Sequence, residues 1–298
     1  MCDWGYKTAV DCSEILSDGK LSIYERWAFW AEHTEKMNEI PMDEDTLDAL
    51  AVAVGEKDYF VYSFTAESFF HKAGFDSRRI YSAAGSWEFL QCAKACSSSS
   101  VFPSSEAVHE ILSNLREYSV VTNDCLPKCS HCGGDCIPNV RLNDKFCHER
   151  YSEGLSNLIS WLEEIAASKT RLVIVELDSA FKANRLSAFP MESIAADLAS
   201  CALVRFSNER YPWVPAVLSK AVGLPTKSFH ELPELLAHAE SADGQMLSVA
   251  AEKEVEQAAE SRKLQRQERD LSVEPIHWRR ILQHLGEDLF NCAYERSM

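Results

Sequence analysis

Four cysteines in two close pairs constrain this chain more than any other feature. Cys92 and Cys96 lie in Leu-Gln-Cys-Ala-Lys-Ala-Cys, and Cys129 and Cys132 in Lys-Cys-Ser-His-Cys-Gly-Gly, with 32 residues between the pairs. Each pair can place two thiolates on one ion, and two pairs complete a tetrahedral zinc shell. Four thiolates leave no position for water, so the expected zinc is structural and its binding is coupled to folding of a small subdomain. Cys125, Cys136 and His131 lie beside or within the second pair and are alternative ligands. The competing reading is that some of these cysteines are small buried hydrophobes. A disulfide framework fits less well: the chain has eleven cysteines, an odd number, and its start shows no secretory pattern.

A length of 298 residues fits one large domain or two small ones, and 46% hydrophobic residues is ordinary for a globular protein. No run of about 18 apolar residues is present, so no membrane span is expected. These features favour an intracellular, reducing location, with cytoplasm, nucleus and organelle matrix all open. The net charge of −16 makes nucleic acid a poor partner, because such a surface repels phosphate backbones. The pairs Arg78/Arg79 and Arg279/Arg280 read as solvated surface.

Periodicity orders the elements. Residues 21–38 read as a helix with Ile23, Trp27 and Trp30 on an aromatic face, and 43–54 as a second helix ended by Gly55. Residues 58–64 suit a buried strand, Phe69 to Gly74 a short helix, and Arg78 to Tyr81 the start of another strand. Residues 152–167 form an amphipathic helix with Leu155, Leu158, Ile159, Leu162 and Ile165 inward. The continuous apolar run 171–177 predicts a strand buried on both faces of a parallel sheet. A helix from Glu192 to Ala199 and a strand from Ala202 to Phe206 complete a strand–helix–strand alternation, the mark of an α/β domain. From about Asp243 the chain turns polar and charged. Pro275 then opens a final helix with Trp278, Ile281, Leu282, Leu285 and Leu289 on one face. That tail packs back on the domain or offers its face to a protein partner.

The order of these segments resembles the sirtuins, NAD-dependent protein deacylases, and within them the branch linked to macrodomains. The resemblance spans roughly residues 21–235. It rests on Lys57-Asp-Tyr-Phe-Val-Tyr-Ser-Phe-Thr-Ala-Glu-Ser-Phe-Phe-His-Lys-Ala-Gly-Phe-Asp, on Arg79-Ile-Tyr-Ser-Ala-Ala-Gly-Ser, and on the two cysteine pairs. Pro138-Asn-Val-Arg-Leu-Asn-Asp-Lys-Phe, Val173-Ile-Val-Glu-Leu, Phe189-Pro-Met-Glu and Ala202-Leu-Val-Arg-Phe extend it. It implies an α/β fold: a Rossmann-like parallel-sheet large domain with a small zinc-ribbon and helical module, and a C-terminal helical extension beyond it. The corresponding layout is a sirtuin-like domain over 1–242, with the zinc module at about 88–140, followed by an extension over 243–298.

The positions that the resemblance assigns to chemistry are altered. No glycine-rich turn of the kind that admits a pyrophosphate precedes residue 21. The family's Thr-Thr-Asn-x-Asp loop reads Ser63-Phe-Thr-Ala-Glu67, with Thr65 in place of the asparagine and Glu67 in place of the aspartate. The histidine position is Ala84, whose methyl group cannot take a proton. His71 is the other titratable group nearby in sequence. A later loop carries Asp178 where the family approaches NAD phosphate or ribose, with Lys182 able to offset it, and the strand ending Arg205-Phe-Ser-Asn leaves Ser207 or Asn208 as a nucleotide contact. The expectation is a zinc-stabilised binding or structural subunit without catalysis, with NAD binding doubtful and a protein partner engaged through residues 246–298. The alternative is a deacylase or protein ADP-ribosyltransferase in which Glu67 or Ser63 serves and Thr65, Glu67, Ser207 and Asn208 touch the cofactor.

Overall fold

The computed structural model describes residues 21–39, 44–55, 57–66, 68–116, 119–120, 123–141, 145–177, 185–207, 212–225 and 282. In chain order the regular elements are α1 (Ile23–Glu39), α2 (Glu44–Val54), β1 (Val61–Ser63), α3 (Phe69–Lys72), β2 (Ile80–Ser82), β3 (Gly85–Cys92), β4 (Val101–Pro103) and α4 (Ser105–Ser113). They continue with β5 (Leu115–Arg116), β6 (Ser119–Val120), β7 (Cys136–Val140), α5 (Ser152–Ser168), β8 (Leu172–Leu177), α6 (Arg185–Asp197), β9 (Cys201–Ser207) and β10 (Ala221–Pro225). The architecture is mixed α/β with parallel sheets. The chain divides into two compact units, one from Met1–Met42 and Phe60–Ser156, the other from Asp43–Tyr59 and Asn157–Met298.

The first unit is organised by α1. Its start is a capping box: the Ser22 amide donates to Glu25 Oε2 at 2.8 Å and the Glu25 amide donates to Ser22 Oγ at 3.3 Å. The aromatic face expected from Trp27 and Trp30 is present, but burial goes further, since every residue from Trp27 to Thr34 is buried. A helix enclosed this way is a core element rather than an amphipathic surface one. Trp27 and Trp30 meet edge to face at 4.8 Å between centroids. The cluster around them takes in Trp87, Leu90, Val108, Ile111, Leu126 and the buried cysteines Cys92, Cys125, Cys129 and Cys136. Each large side chain in such a core contributes about 1.5–3 kcal/mol. The polar residues of α1 adapt to it: His33 stacks on Phe29 and meets Trp87 edge-on at 4.6 Å. Desolvation and the nearby Lys36 charge pull its pKa down to about 4, so it is neutral.

Strand β3 is the middle of an antiparallel sheet in the order β4–β3–β7, and β1 pairs β2 in parallel with Tyr62 opposite Tyr81. A register shift lies between Gly85 and Leu90. Gly85 has φ +84°, and a Cβ there would stand 2.2 Å from the Asn139 carbonyl oxygen, so only glycine fits. The strands expected at 58–64 and 78–81 are shorter than their apolar runs. Residues Ser77–Arg79 form a 3₁₀ turn because the Asp76 carboxylate accepts the Arg78 amide and competes with strand pairing.

The second unit holds a parallel sheet in the order β10–β9–β8. Two expectations change here. Residues 171–177 were expected to be buried on both faces, yet β8 alternates: Leu172, Ile174 and Glu176 are buried, whereas Val173 is 59% and Val175 44% exposed. A run of β-branched residues suits a pleated strand whether one face or both are covered, so the run itself does not report burial. The helix expected from Glu192 begins at Arg185 and carries Pro190 inside it. A proline ring removes a backbone donor and disfavours a helix interior, yet this helix runs through Pro190. On the buried face, Arg205 bonds its register partner Glu176, reaches Glu192 Oε1 at 2.7 Å and the Trp213 carbonyl at 2.7 Å. With only 2% of its side chain exposed, Arg205 is a guanidinium whose fork is shared among three acceptors.

Among the described residues no helix is long and apolar enough to cross a membrane. Of the final segment, Leu282 is described, and it is helical and fully buried. The other residues predicted for the tail, together with residues 1–20, Glu67, Asp178, Lys182 and Asn208, lie outside the described residues.

Candidate metal centre

Two knuckles bring the four cysteines together. In the first, β3 ends at Cys92 and the chain turns back so that the Ala95 amide donates to the Cys92 carbonyl at 2.9 Å, with Ala95 at φ +46°. A non-glycine residue in that region is strained by roughly 1–2 kcal/mol, so the surrounding structure holds the turn in place. In the second, the Cys129 amide donates to the Gly134 carbonyl at 2.7 Å and the Gly133 amide to the Cys129 carbonyl at 2.8 Å, while Gly133 takes φ +67°. The glycines after Cys132 thus make the tight reversal that aims both sulfurs one way.

The ligand atoms of Cys92, Cys96, Cys129 and Cys132 all lie within 4.8 Å of one another. Cys92 Sγ is 3.6 Å from Cys132 Sγ, and Cys96 Sγ is 3.7 Å from Cys129 Sγ. Four sulfurs at a Zn–S distance of about 2.3 Å in a tetrahedron stand about 3.8 Å apart, so the spacing fits a metal ion of that size. The thiols disturb one another without a cation between them. Burial and the neighbouring thiols of Cys92, Cys132 and Cys129 push Cys96 up to about 12, whereas at Cys92 hydrogen bonds from Cys96, Lys94 and Cys132 outweigh burial and pull it down to about 6. A bound dication removes that conflict by favouring all four thiolates together.

The alternative ligands fall outside this group. Cys125 and Cys136 are buried in the hydrophobic cluster. Neither sulfur belongs to the group of four that lie within 4.8 Å of one another. The His131 ring lies edge-on to Phe102 at 5.7 Å.

A buried amide network abuts the metal centre, and sequence reasoning missed it. Gln91, next to the ligand Cys92, accepts at Oε1 from Asn139 Nδ2 at 2.7 Å and from the Cys147 amide at 2.9 Å, and its Nε2 donates to the Lys145 carbonyl. Asn139 Nδ2 also donates to the Cys147 carbonyl at 3.2 Å, and its Oδ1 accepts from the Tyr151 hydroxyl at 2.8 Å. Gln91 and Asn139 are 1% and 0% exposed, so this network clips the 145–151 segment onto the β3–β7 pair. The signal in sequence is faint: one amide in each of two strand segments that also carry cysteines.

The segment that carries Ala84 is held by Arg141. Ala83 and Ala84 are buried, and their carbonyls accept from Arg141 Nε and the Arg141 amide, each at 2.8 Å. Arg141 lies 4.4 Å over the Phe146 ring, and burial holds its pKa below the usual arginine range. Tyr62 and Tyr81 meet edge to face at 5.6 Å, and burial raises both phenol pKa values, so both are neutral. Ser63 is buried, with its Oγ 3.2 Å from Thr65 Oγ1, and its carbonyl accepts the Ala83 amide. His71 is exposed on α3, 3.4 Å from Ser77 Oγ. Ser207, at the end of β9 in the second unit, is buried. Arg141 also escaped the sequence reading; a lone charge after Ile-Pro-Asn-Val looks like the end of a strand rather than a half-buried cation.

No family model matches the chain. A protein from Fusarium oxysporum f. sp. cubense described as a "probable bifunctional ADP-ribose hydrolase/ADP-ribosyltransferase" is 26% identical over 140 residues, 46% of this chain and 24% of that protein. The chain therefore matches about a quarter of the length of that curated relative. Among solved structures, point mutants of a Sir2 homologue in complex with ADP-ribose align at 15% identity with a TM-score up to 0.47, over 73% of this chain and 74% of theirs. Sir2Tm bound to a propionylated peptide aligns at 15% identity with a TM-score of 0.41, over 76% and 87%. The chain resembles these Sir2 structures over about three quarters of its length.

Proposed function

We propose that this chain is a zinc-stabilised, sirtuin-type scaffold without deacylase activity, acting as a binding or structural subunit. The observation that carries the reading is Ala84: buried at 7% exposure, it offers a methyl group where the resemblance calls for a general base. On the paired strands β1 and β2 that lead to it, Ser63 and Thr65 are hydroxyls 3.2 Å apart and Tyr62 and Tyr81 are neutral phenols. Zinc is the metal that suits four thiolates at this spacing, and Cys92, Cys96, Cys129 and Cys132 hold it in a closed shell with a purely structural role. The same reading places the sirtuin-like domain at 1–242 and assigns the partner-binding role to residues 246–298.

A second reading is favoured by one finding, the similarity to a protein described as an ADP-ribose hydrolase and ADP-ribosyltransferase. In that case NAD binds, with Thr65, Glu67, Ser207 and Asn208 as contacts, and Glu67 or Ser63 serves the transfer. Calorimetric titration of NAD into zinc-loaded protein, with zinc content measured on the same sample, separates the two. One zinc per chain and no NAD heat at millimolar concentration is the expected result. Micromolar affinity with NAD consumption that disappears in Glu67→Gln establishes the second reading.

A further inference from the structure

We propose that β8 is an interaction edge, which pairs antiparallel with β8 of a second copy of this chain and joins two three-stranded sheets into one of six strands. The inference goes beyond the scaffold reading and does not depend on the metal. It starts from the ladder. β8 ends the order β10–β9–β8, and among the described residues no strand pairs its other side. The Leu172 amide donates to the Ser200 carbonyl, so Leu172, Ile174 and Glu176 turn their backbone groups toward β9. Val173, Val175 and Leu177 alternate with them and turn theirs outward. Such an open row of donors and acceptors is a template for another strand, and proteins blunt it with a proline, a bulge or a lysine. β8 has none of these: it pairs with β9 without a register shift, and its outward residues are two valines and a leucine.

The side chains extend the match. Val173 and Val175 are 59% and 44% exposed. They share an aliphatic face with their register partners Ala202 and Val204, and with Val222 beyond Val204, all three half-buried. Charge then selects the occupant. Lys169 and Arg171, both exposed, stand at the start of β8, and Asp178 follows its last residue. An antiparallel copy of such a strand is complementary to it, because each basic start meets an acidic end; a parallel copy sets like charges together. With Ile174 opposite its own copy, Val173 faces the partner's Val175, and Leu177 faces the partner's Arg171, which places Asp178 beside that arginine. A two-fold axis normal to the sheet makes these contacts twice and keeps both valine faces on one side. β-Branched residues directly opposite each other are favourable cross-strand pairs. A six-residue edge is smaller than a permanent interface, and a net charge of −16 on each copy opposes association, so the expected affinity is micromolar.

The test uses the full chain. Sedimentation velocity from about 1 to 200 µM reads the monomer–dimer equilibrium, and amide hydrogen exchange at the two ends of that range reads the edge. The expected outcome is a dimer at the upper end, with exchange at the Val173 and Val175 amides slowed by about fivefold or more relative to the lower end. Val173→Lys, at an exposed position, should weaken the dimer by about tenfold or more. Arg171→Asp should weaken it as well, and adding Asp178→Arg should restore it to within about threefold of wild type. A monomer throughout, with rapid exchange at both amides, overturns the proposal. Slow exchange at every concentration overturns it too, because a segment of the same chain then holds the edge. A dimer that neither Val173→Lys nor Arg171→Asp weakens uses another surface and refutes this one. Should Val173→Lys fail to fold, the charge exchange at Arg171 and Asp178 decides.

Discussion

Asn139→Ala tests whether the amide network holds the first unit together. Asn139 is fully buried and makes three hydrogen bonds: to Gln91 Oε1, to the Cys147 carbonyl and from the Tyr151 hydroxyl. Removal orphans the Cys147 carbonyl and takes from the Tyr151 hydroxyl its acceptor, leaving it the Ser86 backbone, while Gln91 Oε1 keeps the Cys147 amide. An orphaned buried polar group costs about 1–3 kcal/mol, and the deleted amide leaves a small cavity. Rearrangement recovers part of this, so the expected loss is about 3 kcal/mol. Urea unfolding of zinc-loaded protein reads it as a lower midpoint with unchanged slope. The sharper check is a cycle with Tyr151→Phe, which removes the hydroxyl that loses its acceptor. Costs for the single variants should exceed the cost of the double variant by at least about 1 kcal/mol. A loss below about 1 kcal/mol for Asn139→Ala, or strict additivity in the cycle, would refute the account of the network as a satisfied unit.

Three further outcomes are expected. Gly85→Ala should cost about 3 kcal/mol or more, read by the same unfolding assay, because the new Cβ meets the Asn139 carbonyl oxygen at 2.2 Å from a backbone at φ +84°. His33 has a folded pKa of about 4, below the unfolded value of about 6.5, so the unfolded chain binds more protons between these values. Its contribution is intact above about pH 6.5 and disappears as pH falls toward 4, by at most about 3 kcal/mol; the difference in stability between wild type and His33→Gln across that window isolates it. Arg205→Ala should cost about 3–5 kcal/mol, since it leaves buried Glu176 without its guanidinium, and Arg205→Lys should recover little because an ammonium cannot fork to Glu176, Glu192 and the Trp213 carbonyl together; thermal unfolding compares all three proteins.

The elements that were legible in the sequence are those set by local chemistry. The aromatic face of α1, the 3.6-residue spacing of Leu158, Leu162 and Ile165 on α5, and the spacing of the cysteine pairs all act within a few residues and left clear patterns. What escaped depends on partners far along the chain. Nothing near Asn139 reveals that its amide meets Gln91, 48 residues away, and nothing near Arg205 announces Glu176, 29 residues earlier. The exposed valines of β8 failed for a related reason: burial of a strand face is decided by what other segments cover, and the strand's own composition is silent about that. Ala84 was legible as a departure from a family pattern, whereas the Arg141 that occupies the Ala83 and Ala84 carbonyls was visible only once β3 and β7 were paired.

The excursion between the two knuckles carries β4, α4, β5 and β6 and returns to the same ion-sized site from which it left. Closing a loop costs an entropy that grows only with the logarithm of its length, about 0.6 kcal/mol for each doubling. The cysteine centre therefore tolerates wide variation in how many residues lie between Cys96 and Cys129, while the three residues inside the first knuckle and the two inside the second admit none. What limits the excursion is Val108 and Ile111 on α4, which the core beside α1 has already claimed. Insertions should accumulate at the ends of this loop, in the serine run after Cys96 and around β5 and β6, where a lengthened chain disturbs neither anchor.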